Sequence, residues 1–221
     1  MEILVLGDSL PFGRPNHGIC RDLTWPYLLA KELNCGLQIR ARGGATMIDT
    51  VTEANSLNGY WFEELNARKF DAVFVQAGIV DCCPRLVPRR IHSLISRVPG
   101  FGRLERSPYA YRLFGGPWVN EERFARSLEK LMKVLSAISR MSFFIEIAEP
   151  AHYLLENVGN FSASVVNYND IIVRNSGVSN FVLWHAPDKN SHYLLPDGHH
   201  LSLSGHQAVA RACFDKYQKI L

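Results

Sequence analysis

Two apolar runs limit what this chain can fold into. Ile3-Leu4-Val5-Leu6 stops at Gly7-Asp8-Ser9, and Phe70 to Gln76 is almost unbroken. Runs of this length without polar alternation belong to strands buried on both faces. Helix-type segments lie between and after them. Trp25, Leu28, Leu29 and Leu33 are spaced as one helical stripe, and Leu37 to Ala41 alternates as a strand does. Asn120 is placed to cap a long helix with Glu121 and Glu122 in its first turn and a stripe of Phe124, Leu128, Leu131, Leu135 and Ile138. Ser142 to Ala148 reads as a strand closed by Pro150, Ser164 to Arg174 as a helix, and Phe181 to Trp184 as a short strand. Ser204 is a candidate cap for a last helix carrying Val209, Ala212, Phe214 and Tyr217. This alternation predicts a mostly parallel sheet with helices on both faces, and a ligand site beyond the carboxyl ends of its strands.

The chain has 221 residues, 47% of them hydrophobic, enough for one substantial core. A single domain over 1–221 is expected. No apolar run approaches the roughly 20 residues of a membrane span, so no membrane insertion is expected. The first strand begins almost at Met1, which leaves no room for a signal peptide and predicts a cytoplasmic protein. The five cysteines match no zinc pattern and read as small buried thiols of a reducing compartment. The net charge is only +3. It is unevenly distributed. About 82–120 holds seven arginines (Arg85, Arg89, Arg90, Arg97, Arg103, Arg106, Arg112) against one acid, Glu105, a local +6 in a Pro- and Gly-rich stretch with little periodicity. We read it as a partly helical insertion beside the site, suited to an anion. The weak overall charge argues against nucleic acid.

Chemistry is concentrated at two ends of the chain. Gly7-Asp8-Ser9-Leu10 puts a serine at the carboxyl edge of the first strand. Alone, that is a common turn. Asp197-Gly198-His199-His200 sets a carboxylate three residues before an imidazole. Within one turn of chain the acid can hold one ring nitrogen while the other takes a proton from a serine. Alone, that too is a polar loop before a helix.

Together the pieces resemble the SGNH/GDSL hydrolase family, from Gly7 to Gly205. The resemblance implies a three-layer, flavodoxin-like α/β fold with about five strands. It implies Ser9 as nucleophile, His200 rather than His199 as base, and Asp197 orienting the base. In Arg42-Gly43-Gly44-Ala45-Thr46, Gly44 matches the glycine whose N–H joins that of Ser9 in the oxyanion hole. The third block, Gly-x-Asn-Asp in the family, reads Gly78-Ile79-Val80-Asp81, so Val80 replaces an asparagine that donates to the oxyanion. One lost donor costs about 3 kcal/mol. Gln76 and Arg85 are the candidate replacements. Asp8, Gln76, Gly78, Asp81 and Arg85 are candidate substrate contacts. The text Gln76 to Arg85 resembles a divergent branch of the family associated with bacterial surface-polysaccharide loci.

The implied reaction is cleavage of a small acyl ester, such as an O-acetyl group on a saccharide, through an acyl-enzyme and without a cofactor. The Arg-rich insertion points to an acidic acylated saccharide as substrate. Two alternatives remain open: acyl transfer to a sugar hydroxyl by the same residues, and a non-catalytic glycan-binding module, which Val80 favours. His185, His192, His199, His200 and His206 cluster, but no pair has helical ligand spacing tied to a third ligand, so no metal is expected. Asn167-Tyr168-Asn169 is read as structural, and Trp118, alone of the four tryptophans, as a candidate contact.

Overall fold

The computed structural model describes residues 1–64, 69–101, 107–151, 158, 160–184 and 191–220. Arg103, Glu105, Arg106 and His185 lie outside them. Five parallel strands form the central sheet: β1 (Glu2–Gly7), β2 (Gly36–Ala41), β3 (Phe70–Gln76), β6 (Ser139–Ile145) and β7 (Phe181–Val182), in the order β2-β1-β3-β6-β7. The expected apolar runs are its two central strands. Ile3, Leu4, Val5 and Leu6 of β1 and Ala72, Val73 and Phe74 of β3 are fully buried, because both faces of the sheet are covered.

Their side chains divide by alternation. Leu4, Leu6, Val73 and Val75 enter one core with helices α2 (Met47–Glu64), α6 (Glu121–Ile138) and α7 (Phe161–Ser176). Ile3, Val5, Ala72 and Phe74 enter the other with α1 (Trp25–Glu32) and α8 (Leu203–Gln218). The result is a three-layer α/β domain. The stripe expected on α6 is the buried one, and Asn120 caps it by accepting from the Arg123 N–H at 3.0 Å. Three details differ from the sequence reading. β6 begins at Ser139, and β7 ends at Val182. The cap of α8 is Ser202, whose Oγ accepts from the Gly205 N–H at 3.1 Å, while Ser204 donates to the His192 carbonyl.

The Arg-rich stretch is partly helical. It follows the short α3 (Ile79–Cys82) and contains a ribbon of β4 (Pro84–Arg85) and β5 (Gly116–Pro117), and helices α4 (Arg89–Ile95) and α5 (Pro108–Phe114). No helix among the described residues is long and apolar enough to cross a membrane.

Candidate active site

β1 and β3 converge at their carboxyl ends, and that convergence aims Ser9. Gly7 pairs with Gln76 at φ +153, where an added Cβ would stand 1.9 Å from the Gln76 carbonyl oxygen. Only glycine permits this approach. The Asp8 N–H then donates to the Gln76 carbonyl, and the Asp8 carboxylate accepts from the Leu10 N–H at 2.9 Å. This Asx-type turn buries Asp8 completely and leaves Ser9 at the surface of the sheet edge.

The segment before α8 brings the other two groups. Leu194 bridges Leu201, the Leu195 N–H donates to the His200 carbonyl at 2.7 Å, and Gly198, in the left-handed region, closes the turn. Asp197 Oδ1 accepts from the N–H groups of His199 and His200. Its Oδ2 lies 2.6 Å from His200 Nδ1, and His200 Nε2 lies 3.0 Å from Ser9 Oγ. Ser9, His200 and Asp197 therefore form one relay, across 191 residues of sequence. The His199 ring turns aside, with Nδ1 on the Asp197 carbonyl oxygen.

No family model matches the sequence, and no curated protein does. Solved structures do match. A member of the lipolytic G-D-S-L family from Veillonella parvula superposes with a TM-score of 0.64 at 12% identity, over 99% of each chain. A lipase/acylhydrolase from Enterococcus faecalis gives 0.64 at 14%, over 100% of this chain and 96% of that one. An acetylxylan esterase from Geobacillus stearothermophilus gives 0.56 at 18%, over 97% and 93%. The fold is that of the SGNH/GDSL hydrolases.

In this SGNH/GDSL fold the charges around the relay are tuned by burial and hydrogen bonding. Burial raises the pKa of Asp197, but the hydrogen bonds from His200 and His199 outweigh it and bring the value down to about 2. For His200, burial comes first and lowers the pKa, and the neighbouring His199 and Arg14 add to this. Together they outweigh Asp197, which alone would raise it. The imidazole is thus held neutral below its ordinary 6.5. Asp197, His199 and His200 offer ligand atoms within 4.8 Å of one another, yet each is already engaged in the contacts above. His206, by contrast, is buried, and its Nδ1 accepts from the Trp25 N–H.

Four of the expected substrate contacts are buried. Asp8 and Asp81 have no exposure and Gln76 only 1%. Gln76 Oε1 accepts from the Trp25 indole at 2.6 Å, on the α1 face. Both oxygens of Asp81 accept from the Met47 N–H at 3.0 Å, anchoring the first turn of α2. Gly78, at φ +125, packs so closely that a Cβ would stand 2.4 Å from Ile147 Cδ1. Burial and these contacts turn the four groups toward neighbouring protein rather than toward solvent. Val80 is also buried, in the α6/α7 core.

Gly44, with φ +71, begins a loop braced by Thr46, Arg89 and Asp49, of which the sequence reading passed over only Asp49. Thr46 and Asp49 form a reciprocal cap: the Thr46 N–H donates to Asp49 Oδ2 at 2.8 Å, and the Asp49 N–H to Thr46 Oγ1 at 3.4 Å. Arg89 Nη1 meets Asp49 Oδ2 at 2.5 Å, and its Nη2 donates to the Gly44 carbonyl at 3.2 Å. The Thr-x-x-Asp spacing was the available signal. Arg89 so ties the insertion to the loop of Gly44.

Among the described residues, the Arg85 guanidinium is engaged with Trp118 rather than with Ser9 or Gly44. Its guanidinium lies 5.2 Å from the Trp118 ring centroid, and Trp118 Nε1 donates to the Val87 carbonyl. Both residues line a cavity of about 550 Å³ with Thr46, Arg89, Arg90 and Arg123, and among the described residues no carboxylate is in its wall. Neither Ser9 nor His200 lines it. Asn167, Tyr168 and Asn169 take the structural roles read for them. Asn167 donates to Glu121, Tyr168 to the Val119 carbonyl, and Asn169 brackets the Ile147 N–H and carbonyl.

Proposed function

We propose that this chain is a serine ester hydrolase that works through an acyl-enzyme. The observation that carries the reading is the relay of Ser9 Oγ, His200 Nε2 and Asp197 Oδ2, at 3.0 and 2.6 Å, on an SGNH/GDSL fold. Ser9 attacks the acyl carbonyl while His200 takes its proton, and the same proton then leaves with the alcohol. Asp197 fixes the tautomer that leaves Nε2 free to accept. The N–H groups of Ser9 and Gly44 receive the oxyanion. With Val80 in the core, no side chain at that position adds a third donor, and turnover is slower for it by roughly 100- to 1,000-fold. Water then releases the acyl group by the reverse sequence.

The substrate is a small acyl ester carried on a saccharide, with an anionic group in the cavity of Arg85, Arg90 and Arg123. One structural neighbour is named as an acetylxylan esterase, which supports the saccharide. Of the five cysteines expected as buried thiols, Cys82 and Cys213 are buried, whereas Cys35 and Cys83 are half-buried and Cys20 is exposed; as free thiols they support a reducing, cytoplasmic setting.

A fluorophosphonate probe tests the chemistry. Mass spectrometry should find its adduct on Ser9, and Ser9→Ala should abolish it. Absence of labelling beside a fully labelled control esterase would leave a binding module that kept the fold. Arg85→Ala tests the cavity: the Michaelis constant on an acidic acylated saccharide should rise, with turnover of a neutral ester unchanged. Equal loss of turnover on both substrates would move Arg85 to the oxyanion instead.

A further inference from the structure

The insertion shows water a set of side chains that the relay does not use. Tyr109 (77% exposed), Leu113 (74%) and Phe114 (73%) stand on α5, and Leu94 (66%) stands on α4 with Ile91, three residues before it, also exposed. Val98 is exposed in the turn after α4. Burial sets the orientation of both helices. On α4, His92 packs edge-on against Phe101 and Trp118, while Leu94 points away, at a helical angle close to that of Arg90, and Arg97 follows in the turn after the helix. On α5, Ala110 and Tyr111 are buried, and Tyr109 and Leu113, four apart, share the outer face. Single exposed apolar residues are ordinary on a protein surface, but several on two short helices of one insertion mark a docking surface.

The charge of the same insertion says what the surface docks on. Between Cys82 and Asn120 there are seven arginines and one acid. Among the described residues, no carboxylate pairs with Arg85, Arg90, Arg97 or Arg123. Helices with aliphatic and aromatic residues on the outer face and unpaired arginines beside them have the composition of an interfacial membrane element. An acidic glycan would match the arginines and leave Leu94, Leu113 and Tyr109 without a partner. A bilayer with anionic headgroups matches both: phosphates take the guanidinium groups and the acyl boundary takes the apolar side chains.

We infer that α4 and α5 dock the protein on an anionic membrane surface. Docking is peripheral and spans nothing. Phe114 lies at the wall of the arginine-lined cavity, so the docked face opens beside the cavity that adjoins the loop of Gly44. A substrate held at the bilayer would meet the protein from this side.

Vesicle co-sedimentation tests this without any measure of esterase activity, so its failure and that of the hydrolase reading are distinguishable. The whole protein should bind vesicles of equimolar phosphatidylcholine and phosphatidylglycerol, and bind phosphatidylcholine alone at least about tenfold more weakly. Leu94→Ser with Leu113→Ser removes two exposed side chains from outside the cavity. It should weaken binding to the mixed vesicles about tenfold or more and leave hydrolysis of a soluble ester unchanged. Arg90→Ser with Arg97→Ser should weaken it too, and raised salt should act in the same direction. No binding to the mixed vesicles, or binding that ignores Leu94 and Leu113, would overturn the inference. So would binding of polygalacturonate that requires these two leucines, which would make the surface a glycan site.

Discussion

The relay edge and the Arg-rich insertion flank one loop, that of Gly44, and are held by opposite means. At the edge, each group is fixed by buried contacts. Gly7 lies against β3, Asp8 is sealed beneath Ser9, and both oxygens of Asp81 hold the start of α2. The insertion is held by a two-residue ribbon, by arginine and histidine contacts around Trp118, and by Arg89 on Asp49. It buries Tyr111 but leaves Leu94, Tyr109, Leu113 and Phe114 outside. A nucleophile must stay within a fraction of an ångström of its base, which only a packed sheet edge guarantees. Recognition tolerates change and sits on insertions. If the edge carries the chemistry and the insertion the recognition, as proposed, mutation should separate the two.

The relay itself should show the largest effect. His200→Ala should lower turnover roughly ten-thousand-fold, while His199→Ala should leave most of it, because only His200 reaches Ser9. Turnover needs neutral His200. The acid limb of the rate profile should therefore have its midpoint below 6.5, the direction that burial and the neighbouring His199 give. A His199→Ala enzyme as inactive as His200→Ala would break the assignment.

Asp8 should sharpen the contrast through stability. Burial raises its carboxyl pKa from 3.8 to about 7. The unfolded chain gives up this proton near pH 4 and the folded one only near pH 7. Stability is thus lost as pH rises through that window, by up to about 4 kcal/mol. Asp8→Asn keeps the acceptor for the Leu10 N–H and removes the charge. Thermal or urea unfolding should find the variant more stable at pH 8 by about 2–4 kcal/mol, with the gap closing below pH 4. A gap that persists at pH 3 would mean the carboxyl is not buried as described.

How much of this was legible in the sequence follows the same division. β1 and β3 were readable because burial on both faces leaves an unbroken apolar run, and the three-residue spacing of Asp197 and His200 is a local geometric fact. The helix α2 was not read. Its buried face is Met47, Thr50, Ala54 and Leu57, partly polar, so the stripe is faint, and its cap residue Thr46 with Asp49 carries the clearest signal. The burial of Asp8, Gln76 and Asp81 was also invisible. A carboxylate in a motif at the sheet edge reads as exposed until its partners, the N–H of Leu10 for Asp8 and that of Met47 for Asp81, are placed. The position of Arg85 depends on Trp118, 33 residues away in sequence, and no local pattern encodes it.

Val80 sits where core and chemistry meet. Val80→Asn restores the side chain that the family pattern has after Gly78-Ile79. If the oxyanion lacks this donor, turnover on a neutral ester should rise by roughly 10- to 100-fold with the Michaelis constant little changed. The gain stays below the full worth of a donor because an amide enters a site only 8% exposed. Unchanged turnover in a folded variant would show that another group already supplies the bond.

The smallest effect tests whether the two regions are mechanically joined. Tyr168, on α7, is 1% exposed and donates its hydroxyl to the Val119 carbonyl, just after β5 and just before α6. Its ring also packs on Phe124 at 4.8 Å. Burial pushes its pKa up from 10.0, so the hydroxyl stays a donor throughout the working range. Tyr168→Phe keeps the ring and its packing and removes only this bond. A buried hydrogen bond with its carbonyl left unpaired is worth about 1–2 kcal/mol. Global stability should fall by that amount, and turnover of a neutral ester should not change, because nothing in the relay touches Val119. The sensitive readout is amide exchange. Opening of the foot of the insertion, around Trp118 and Val119, should become easier in Tyr168→Phe, while β1 and the turn of Asp8 keep their protection. Exchange that quickens equally at Leu10 and at Val119 would show that the insertion and the relay edge open as one unit, and the contrast between them would fail.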